Sequence, residues 1–575
     1  MNREQKAENN DQRTKVVLLA IIILAAFLRF YKLGQIPPSL DWDEVSLAYN
    51  AKSLLQTGKD EFGHSWPLSI QSFNDYKPPV YTYLLIPVLK VFGNTEFAVR
   101  FPSALAGTLA VLVTYFLVKE LLLQAERRTL NLECRASPTR NAQRTTCIAL
   151  ISSFLLAVSP WHLQFSHIAF EANIGLFFFI AGMWLLIRAF HKNSQWSIFF
   201  SVAFMSIAMM SYHSLRLVAP LLILATLLIY RKNIWDLIRP GPPAGGPGLY
   251  WIPLILSVIL TILTILTISY TVFFQKVGQS RFKATSFLTI YNLLTVNRDR
   301  LEKYGNNPVD KIINIKYFVY AKQYIKGYLD HFDLRFWFLD GDRIDRHRTP
   351  DVGLLYWWEL PFLVMGLISL MSSTGLMASK EKAVLWIWFL VAPTASALTG
   401  GTPSAVRSLV FLPTFQIFTA LGIVFVLRHL RKFWVIGLLG YLVIGLFEVS
   451  HYFHQYYIHS SLEYASAWQY GYKQMVDNVM ADKDNYKKIL ITTSYDQPYI
   501  YFLWYGNYDP KIWINDGEFN KRFDKFEFKK IDRLEMSNFE NTLFVGTPLE
   551  IPAGNLKWRV DYPNSQAAFL ETEHL

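Results

Sequence analysis

Three carboxylates fall within four residues at Asp41-Trp42-Asp43-Glu44, and Lys77 stands directly before a double proline. A carboxylate takes a proton from an attacking hydroxyl or orients it. A lysine or arginine steadies negative charge building on a leaving group. More cationic candidates occur farther along: Arg343, Arg346, His347 and Arg348 in DGDRIDRHRTP, Arg407 in TPSAVRSLVFLP, and Arg216 beside Tyr212 and His213 in SYHSLRLVAP. Glu171 opens an apolar run just after His167, and Asp75 and Tyr76 precede Lys77. Each has a plainer reading. Asp43 falls where a helix N-cap is expected, and Lys77 suits a snorkelling lysine. Arg216 and Arg407 suit interfacial anchors. The arginine loop can pair with its own Asp340, Asp342 and Asp345, as surface charges commonly do.

The elements that must carry these residues are apolar. The 575-residue chain is 52% hydrophobic with a mean hydropathy of +0.21, and the apolar residues are bunched. Runs near 16–31, 97–121, 146–162, 168–189, 196–212, 215–230, 250–274, 354–372, 384–399, 407–427 and 433–450 give about eleven candidate spans, at or near the length that crosses about 30 Å of hydrocarbon. The first run lacks a small-residue cleavage site and reads as an uncleaved span. Arg127, Arg128, Arg135, Arg140 and Arg144, then Arg188 and Lys192, then Arg231, Lys232 and Arg239, then Lys380 and Lys382, then Arg428, Arg431 and Lys432 all fall in alternate connections. The positive-inside rule makes that side cytoplasmic, together with the N-terminus. The net charge of +12 is thereby a topology signal, and no nucleic-acid partner is expected. Every candidate site residue lies in the opposite, extracytoplasmic segments. Cys134 and Cys147 are too few for a disulfide framework and match no metal spacing.

Within the first outer segment, EVSLAYNAKSLLQTG has helical spacing of Leu47, Ala48, Ala51, Leu54 and Leu55, with Gly58 as its stop. It predicts a helix lying in the membrane interface. Pro78 and Pro79 forbid helix through Lys77 and start one just after it. Past residue 450, KILITTS, TLFVGTP and KWRVDYP read as strands of a small α/β domain. The expected organisation is a mainly α, polytopic membrane domain over 1–450 and an extracytoplasmic α/β domain over 451–575.

Three stretches carry a family resemblance: WDEVSLAYNAKSLLQTG, YKPPVYTYLLIPVLKVFGNTEFAVRFPSALAGTLAVL and SPWHLQFSHIAFEANIGLFF. Together they resemble the GT-C membrane glycosyltransferases, in the group of protein O-mannosyltransferases and lipid A aminoarabinose transferases. The resemblance implies a GT-C fold and transfer of a sugar from a polyprenyl-phosphate carrier to a protein, lipid or glycan hydroxyl on the outer face of a prokaryotic membrane. It implies Asp43 as the catalytic aspartate with Glu44 beside it, Lys77 as a donor-phosphate contact, and Glu171, the acid opening a later span, as a further catalytic carboxylate. Family members often carry Asp where Glu171 stands and Arg where His167 stands. The remaining arginines, with Asp75, Tyr76, His167, Tyr212, His213 and His347, are expected to line donor or acceptor.

The chemistry agrees with so small a set. A lipid phosphate leaves as an anion of low basicity, so one base and a positive pocket suffice. Glycoside hydrolysis instead needs two carboxylates. Direct displacement inverts the anomeric carbon. No cofactor is required by the sequence. The aspartates of the arginine loop lack the glycine and glutamate of an EF-hand, and a divalent ion at His331 or His347 is left open. The rival reading is a transporter or flippase of lipid-linked glycans, which predicts repeats and polar breaks at mid-span.

Overall fold

Each apolar run expected to span folds as a helix. The computed structural model describes residues 3–573 apart from 74, 133–137, 239–250, 275–285, 291–292, 305–306, 373–376, 430–434, 518–520, 553 and 555. Cys134, Arg135, Arg239, Arg431, Lys432 and the start of the long outer loop lie outside the described residues, as do the side chains of Arg127, Arg128 and Arg140.

Among the described residues, four helices are long and apolar enough to cross a bilayer: Glu96–Gln124, Glu171–Lys192, Ile252–Phe273 and Leu409–Arg428. Two bent helix pairs raise the number to six. The protein is thus an integral membrane protein, but length and composition alone do not reach eleven spans. Some of the other expected spans are short helices, though Arg3–Phe30 and Val435–His454 are not, with 28 and 20 residues. A helix such as Glu359–Met371 has 13 residues and rises only about 20 Å at 1.5 Å per residue, short of the roughly 30 Å core.

The chain divides into two units, interleaved along the sequence rather than split at residue 450. The first comprises Met1–Tyr31, Ser103–Ser166 and Glu171–Tyr452; the second comprises Lys32–Pro102, His167–Phe170 and Phe453–Leu575.

In the first unit, packing relies on small residues and a few buried polar groups. Helices Glu359–Met371 and Thr414–His429 cross with their backbones nearly touching. A Cβ at Gly366 would lie 1.9 Å from the carbonyl oxygen of Phe418, and one at Gly422 would lie 1.8 Å from that of Phe362. Such small-residue crossings drive helix association where no water is present to be expelled. Pro160 breaks the next pair, Gln143–Val158 and Pro160–Ser166, with a bend of 57°. Arg29 donates to the carbonyls freed at that break, those of Leu156 (3.1 Å) and Ala157 (3.0 Å), and lies 2.7 Å from His162 Nδ1. At the other end of this unit, His191 bridges Glu120 (2.9 Å) and Glu381 (3.0 Å), and the Tyr230 hydroxyl donates to Glu381 at 2.6 Å. Buried polar groups joined this way tie four helices together.

The second unit is built around the helix Trp42–Thr57. Residues Glu44 to Leu54 of this helix are all buried. It is therefore a helix packed into the core of this unit, against Val80–Phe92 and Pro498–Tyr505. Gly58 stops it at φ 71° with its N–H on the Leu54 carbonyl, as expected. Beyond residue 486 lies a six-stranded sheet. Its order is Arg522–Phe523, Phe526–Phe528, Lys488–Ile491, Thr542–Gly546, Ala567–Glu573, Leu556–Asp561. Lys488–Ile491 runs parallel to both its neighbours, and the outer pairings are antiparallel. The three expected strands are present, with three more beside them.

Replacing Gly422 by Leu forces the Glu359–Met371 helix outward. It is expected to cost about 3 kcal/mol or more, seen as a lower thermal midpoint in detergent. The same change at Gly437, which has open space around it, should leave that midpoint unchanged.

Candidate active site

The acidic cluster separates into different jobs once the helix forms. Asp41, not Asp43, is the N-cap: its Oδ1 accepts the Glu44 N–H at 2.8 Å, and Glu44 Oε2 accepts the Asp41 N–H at 3.2 Å. This is the reciprocal capping box. Glu44 also clamps Arg100, with Nε on Oε1 at 2.9 Å and Nη2 on Oε2 at 3.0 Å, and it accepts the Ala169 N–H at 2.8 Å. Arg100 spends its other donors on the carbonyls of Leu33, Pro37 and Ser39. Both side chains are fully buried. Glu44, expected beside Asp43 as a catalytic acid, is a structural clamp, because four donors already occupy its oxygens. Arg100 was missed in sequence. Its only signal was a lone arginine near the outer end of an apolar helix.

Asp43 is left as the reachable carboxylate. Its side chain is 37% exposed, whereas Asp41 and Glu44 are fully buried. Lys77 Nζ lies 2.6 Å from Asp43 Oδ1 and donates to the Asp43 carbonyl at 3.2 Å. A short antiparallel hairpin, Ile70–Ser72 with Asp75–Lys77, delivers it; Asp75 and Tyr76 sit on the same strand. Pro78 and Pro79 end that strand, and helix Val80–Phe92 begins directly after. Behind Lys77, Glu61 is fully buried. It accepts from Tyr499 (2.9 Å) and Asn50 (3.0 Å). Burial pushes its carboxyl up to about 8, against the pull of the Tyr499 hydrogen bond. Also in this unit, His167 is buried against the Tyr456 hydroxyl at 2.8 Å.

The other candidates belong to the first unit. Asp342 organises the arginine loop. Its carboxylate accepts the N–H groups of Ile344 (3.0 Å) and Ala405 (2.6 Å) and lies 3.3 Å from His347 Nδ1. Burial alone would raise this carboxyl, but the bonds from His347 and the two backbone amides outweigh it and hold it below the usual range. His331 is buried between the Gly327 carbonyl and Ser396, both at 2.7 Å. Burial depresses it to about 4. Asp340 pairs with Arg335 and Asp345 with Arg348. Among the described residues no three such side chains gather as a cation site. Arg343 is exposed, and Arg346 and Arg348 are half-buried. Arg407 donates to Thr399 Oγ1 and the Gly400 carbonyl. It shares a crevice with Tyr212, Leu176 and Leu409 whose free space, about 10 Å³, admits at most a water. Arg216 donates to the Met209 carbonyl, with His213 half-buried nearby in sequence, and Glu171 opens its helix half-buried.

Residues 76–130 match the family model described as dolichyl-phosphate-mannose-protein mannosyltransferase. A curated relative, "Putative mannosyltransferase YkcB" of Bacillus subtilis (strain 168), is 26% identical over 260 residues, 44% of this chain and 32% of that protein. The chain thus spans about a third of the length of the curated relative it matches. Among solved structures, the oligosaccharyltransferase AglB of Archaeoglobus fulgidus, in complex with an inhibitory peptide and a dolichol-phosphate, aligns at 11% identity over 94% of this chain and 70% of its own, with a TM-score of 0.49. ArnT of Cupriavidus metallidurans, bound to undecaprenyl phosphate, aligns at 11% identity over 97% of each chain, also at 0.49. The family model covers the second of the three stretches that carry the resemblance, Tyr76 to Leu112.

Two outcomes separate scaffold from site. Arg100→Met leaves Glu44 buried and unpaired and should cost about 3–5 kcal/mol, whereas Asp43→Asn, which keeps an oxygen for Lys77, should cost about 1 kcal/mol; detergent-melting curves distinguish them. Glu61 gives a pH signature. Between about 4.5 and about 8 the folded protein keeps a proton that the unfolded chain releases, so stability falls as pH rises through that window. In Glu61→Gln that part of the slope should vanish in melting curves taken from pH 4.5 to 9.

Proposed function

We propose that the chain is an extracytoplasmic glycosyltransferase that moves a sugar from a polyprenyl-phosphate donor to an acceptor hydroxyl, with Asp43 as the base. The observation that carries this reading is the ion pair of Asp43 with Lys77: a partly exposed carboxylate touching a nearly buried ammonium. The family match begins at Tyr76, one residue before that lysine, and supports the same assignment.

The pair supplies both charges the reaction needs. Asp43 sits in the first turn of a helix whose following residue is clamped, so its position is set by the fold rather than by a loop. It takes the acceptor proton as the hydroxyl oxygen attacks the anomeric carbon. The bond from that carbon to the phosphate oxygen breaks, and the phosphate departs with the electron pair. Lys77 is held by the hairpin and the proline corner beside the carboxylate, where it meets the charge developing on the departing phosphate. Attack opposite the leaving group inverts the anomeric centre. Arg343, Arg346, Arg348 and Arg407 are carried as further donor contacts, with Glu171, Asp75, Tyr76, His167, Tyr212, His213, Arg216 and His347 as residues near donor or acceptor. The cytoplasmic N-terminus follows from the basic connections. Partners are the lipid-linked donor, membrane lipids and a protein, lipid or glycan acceptor; a divalent ion enters only if chelation abolishes turnover.

In reconstituted liposomes, Asp43→Asn should lower transfer by about 10²–10⁴-fold, the usual worth of a positioned base, with folding retained. Lys77→Gln should lose about 10²–10³-fold, comparable to removing one donor at a developing anion. Anomeric NMR of the product should show inversion. Wild-type rates in Asp43→Asn, or retention of configuration, would overturn the assignment.

A further inference from the structure

The second unit contains a cleft that the site above does not use. It has a free volume of about 220 Å³ and is lined by Trp42, Tyr470, Tyr495, Tyr562, Gln469 and Asp496, among others. We propose that this cleft binds a sugar ring of the acceptor, so that the acceptor is itself a saccharide-bearing molecule. The proposal rests on the glycosyl-transfer reading and narrows it.

The lining chemistry selects the ligand. Trp42, Tyr470, Tyr495 and Tyr562 are all half-buried, presenting rigid amphipathic rings at low entropic cost. Aromatic faces pack against the C–H face of a pyranose. The polar rim suits the hydroxyl edge of such a ring. Asp496 is a carboxylate that accepts hydrogen bonds, Gln469 carries an amide that both donates and accepts, and Ser466 and Ser494 add hydroxyls. Among the described residues, neither lysine nor arginine lines the cleft, and its one charge is negative. A lipid phosphate or other anion is therefore a poor occupant, and the donor headgroup belongs elsewhere.

The cleft is also held in shape. Tyr472 is buried behind it, stacked on Tyr501 with centroids 4.0 Å apart and edge-on to Phe569 at 4.9 Å. Its hydroxyl donates toward the carbonyls of Tyr495 (3.3 Å) and Asp496 (3.1 Å). Tyr495 is fixed edge-on to Phe569 at 5.3 Å. Gln469 and Asp496 both adopt left-handed backbone, at φ 48° and 56°, a costly conformation for a glutamine that the surroundings must enforce. The cleft is joined to the proposed chemistry through one helical turn. Trp42 lines it, and the next residue is Asp43. The two side chains leave the helix about 100° apart, so Trp42 ties the cleft to the same first turn that carries Asp43.

The test uses the full-length protein in nanodiscs and saturation-transfer NMR. The probes are the neutral methyl glycosides of mannose, glucose and galactose, with a neutral serine/threonine hexapeptide and inorganic phosphate as competitors of different chemistry. At least one glycoside should receive saturation from the aromatic protons, and neither competitor should displace it. Its affinity should fall at least tenfold in Tyr470→Ala and in Asp496→Asn. The second of these changes an exposed side chain and keeps the fold testable if the first does not. Binding should persist in Asp43→Asn, so a failure of the cleft and a failure of the base are read separately. Absence of glycoside binding, displacement by the peptide or phosphate, or undiminished affinity in Asp496→Asn would overturn the proposal.

Discussion

The second unit is organised by one buried ion pair. Glu44 and Arg100 meet without solvent, which is costly unless every lone pair and proton finds a partner. Here they do. The carboxylate receives four donors, and the guanidinium reaches three backbone carbonyls besides its partner. The result ties the 33–39 loop, the start of the core helix, the turn at Ala169 and the beginning of the helix that opens at Glu96 to a single point. Lysine has no planar fork and too few donors to replace Arg100 there. A residue adjacent to such a point inherits its positional precision, which is what a proton-transferring group requires.

This arrangement explains why three neighbouring acids are not interchangeable. Helix geometry turns Asp41 and Glu44 into the body of the protein to satisfy amide donors, and it turns Asp43 toward the rim. The sequence alone offers three carboxylates and a cap preference, but not the phase of the helix. A shift of two residues in the N-cap moved the capping role from Asp43 to Asp41. By contrast, the bond between the prolines and Lys77 was legible, since Pro78 and Pro79 permit only one kind of backbone on either side. That Lys77 would reach Asp43 needed the hairpin Ile70–Ser72 with Asp75–Lys77, whose three-residue strands are too short to leave a period in the sequence.

The same limit applied farther on. Lys488–Ile491, Thr542–Gly546 and Leu556–Asp561 were readable, while the two- and three-residue strands Arg522–Phe523 and Phe526–Phe528 were not, and Ala567–Glu573, long enough to read, was missed. The aromatic cleft was invisible for another reason. Its lining comes from Trp42, the 466–472 turn, the 494–496 turn and the 562–569 hairpin, and no local pattern connects four segments so far apart. The helix Trp42–Thr57 looked amphipathic because its lysine and asparagine read as a polar face. Lys52 and Asn50 are in fact buried, Lys52 donating to Asn507 at 2.7 Å and Asn50 to Glu61 at 3.0 Å. Polar residues that satisfy one another inside a core imitate a solvent face.

The crossing at Gly366 and Gly422 has a bearing on where the tail of the proposed lipid donor could enter. Where two helices touch backbone to backbone, no side chain stands between them to swing aside, so that seam cannot open by a rotamer change alone. Any parting that admits a lipid tail must therefore be sought along seams filled by larger, rotamer-rich residues. Among the described residues, Ile252–Phe273 is buried over only 17% of its most apolar window, which leaves an apolar flank open to lipid chains.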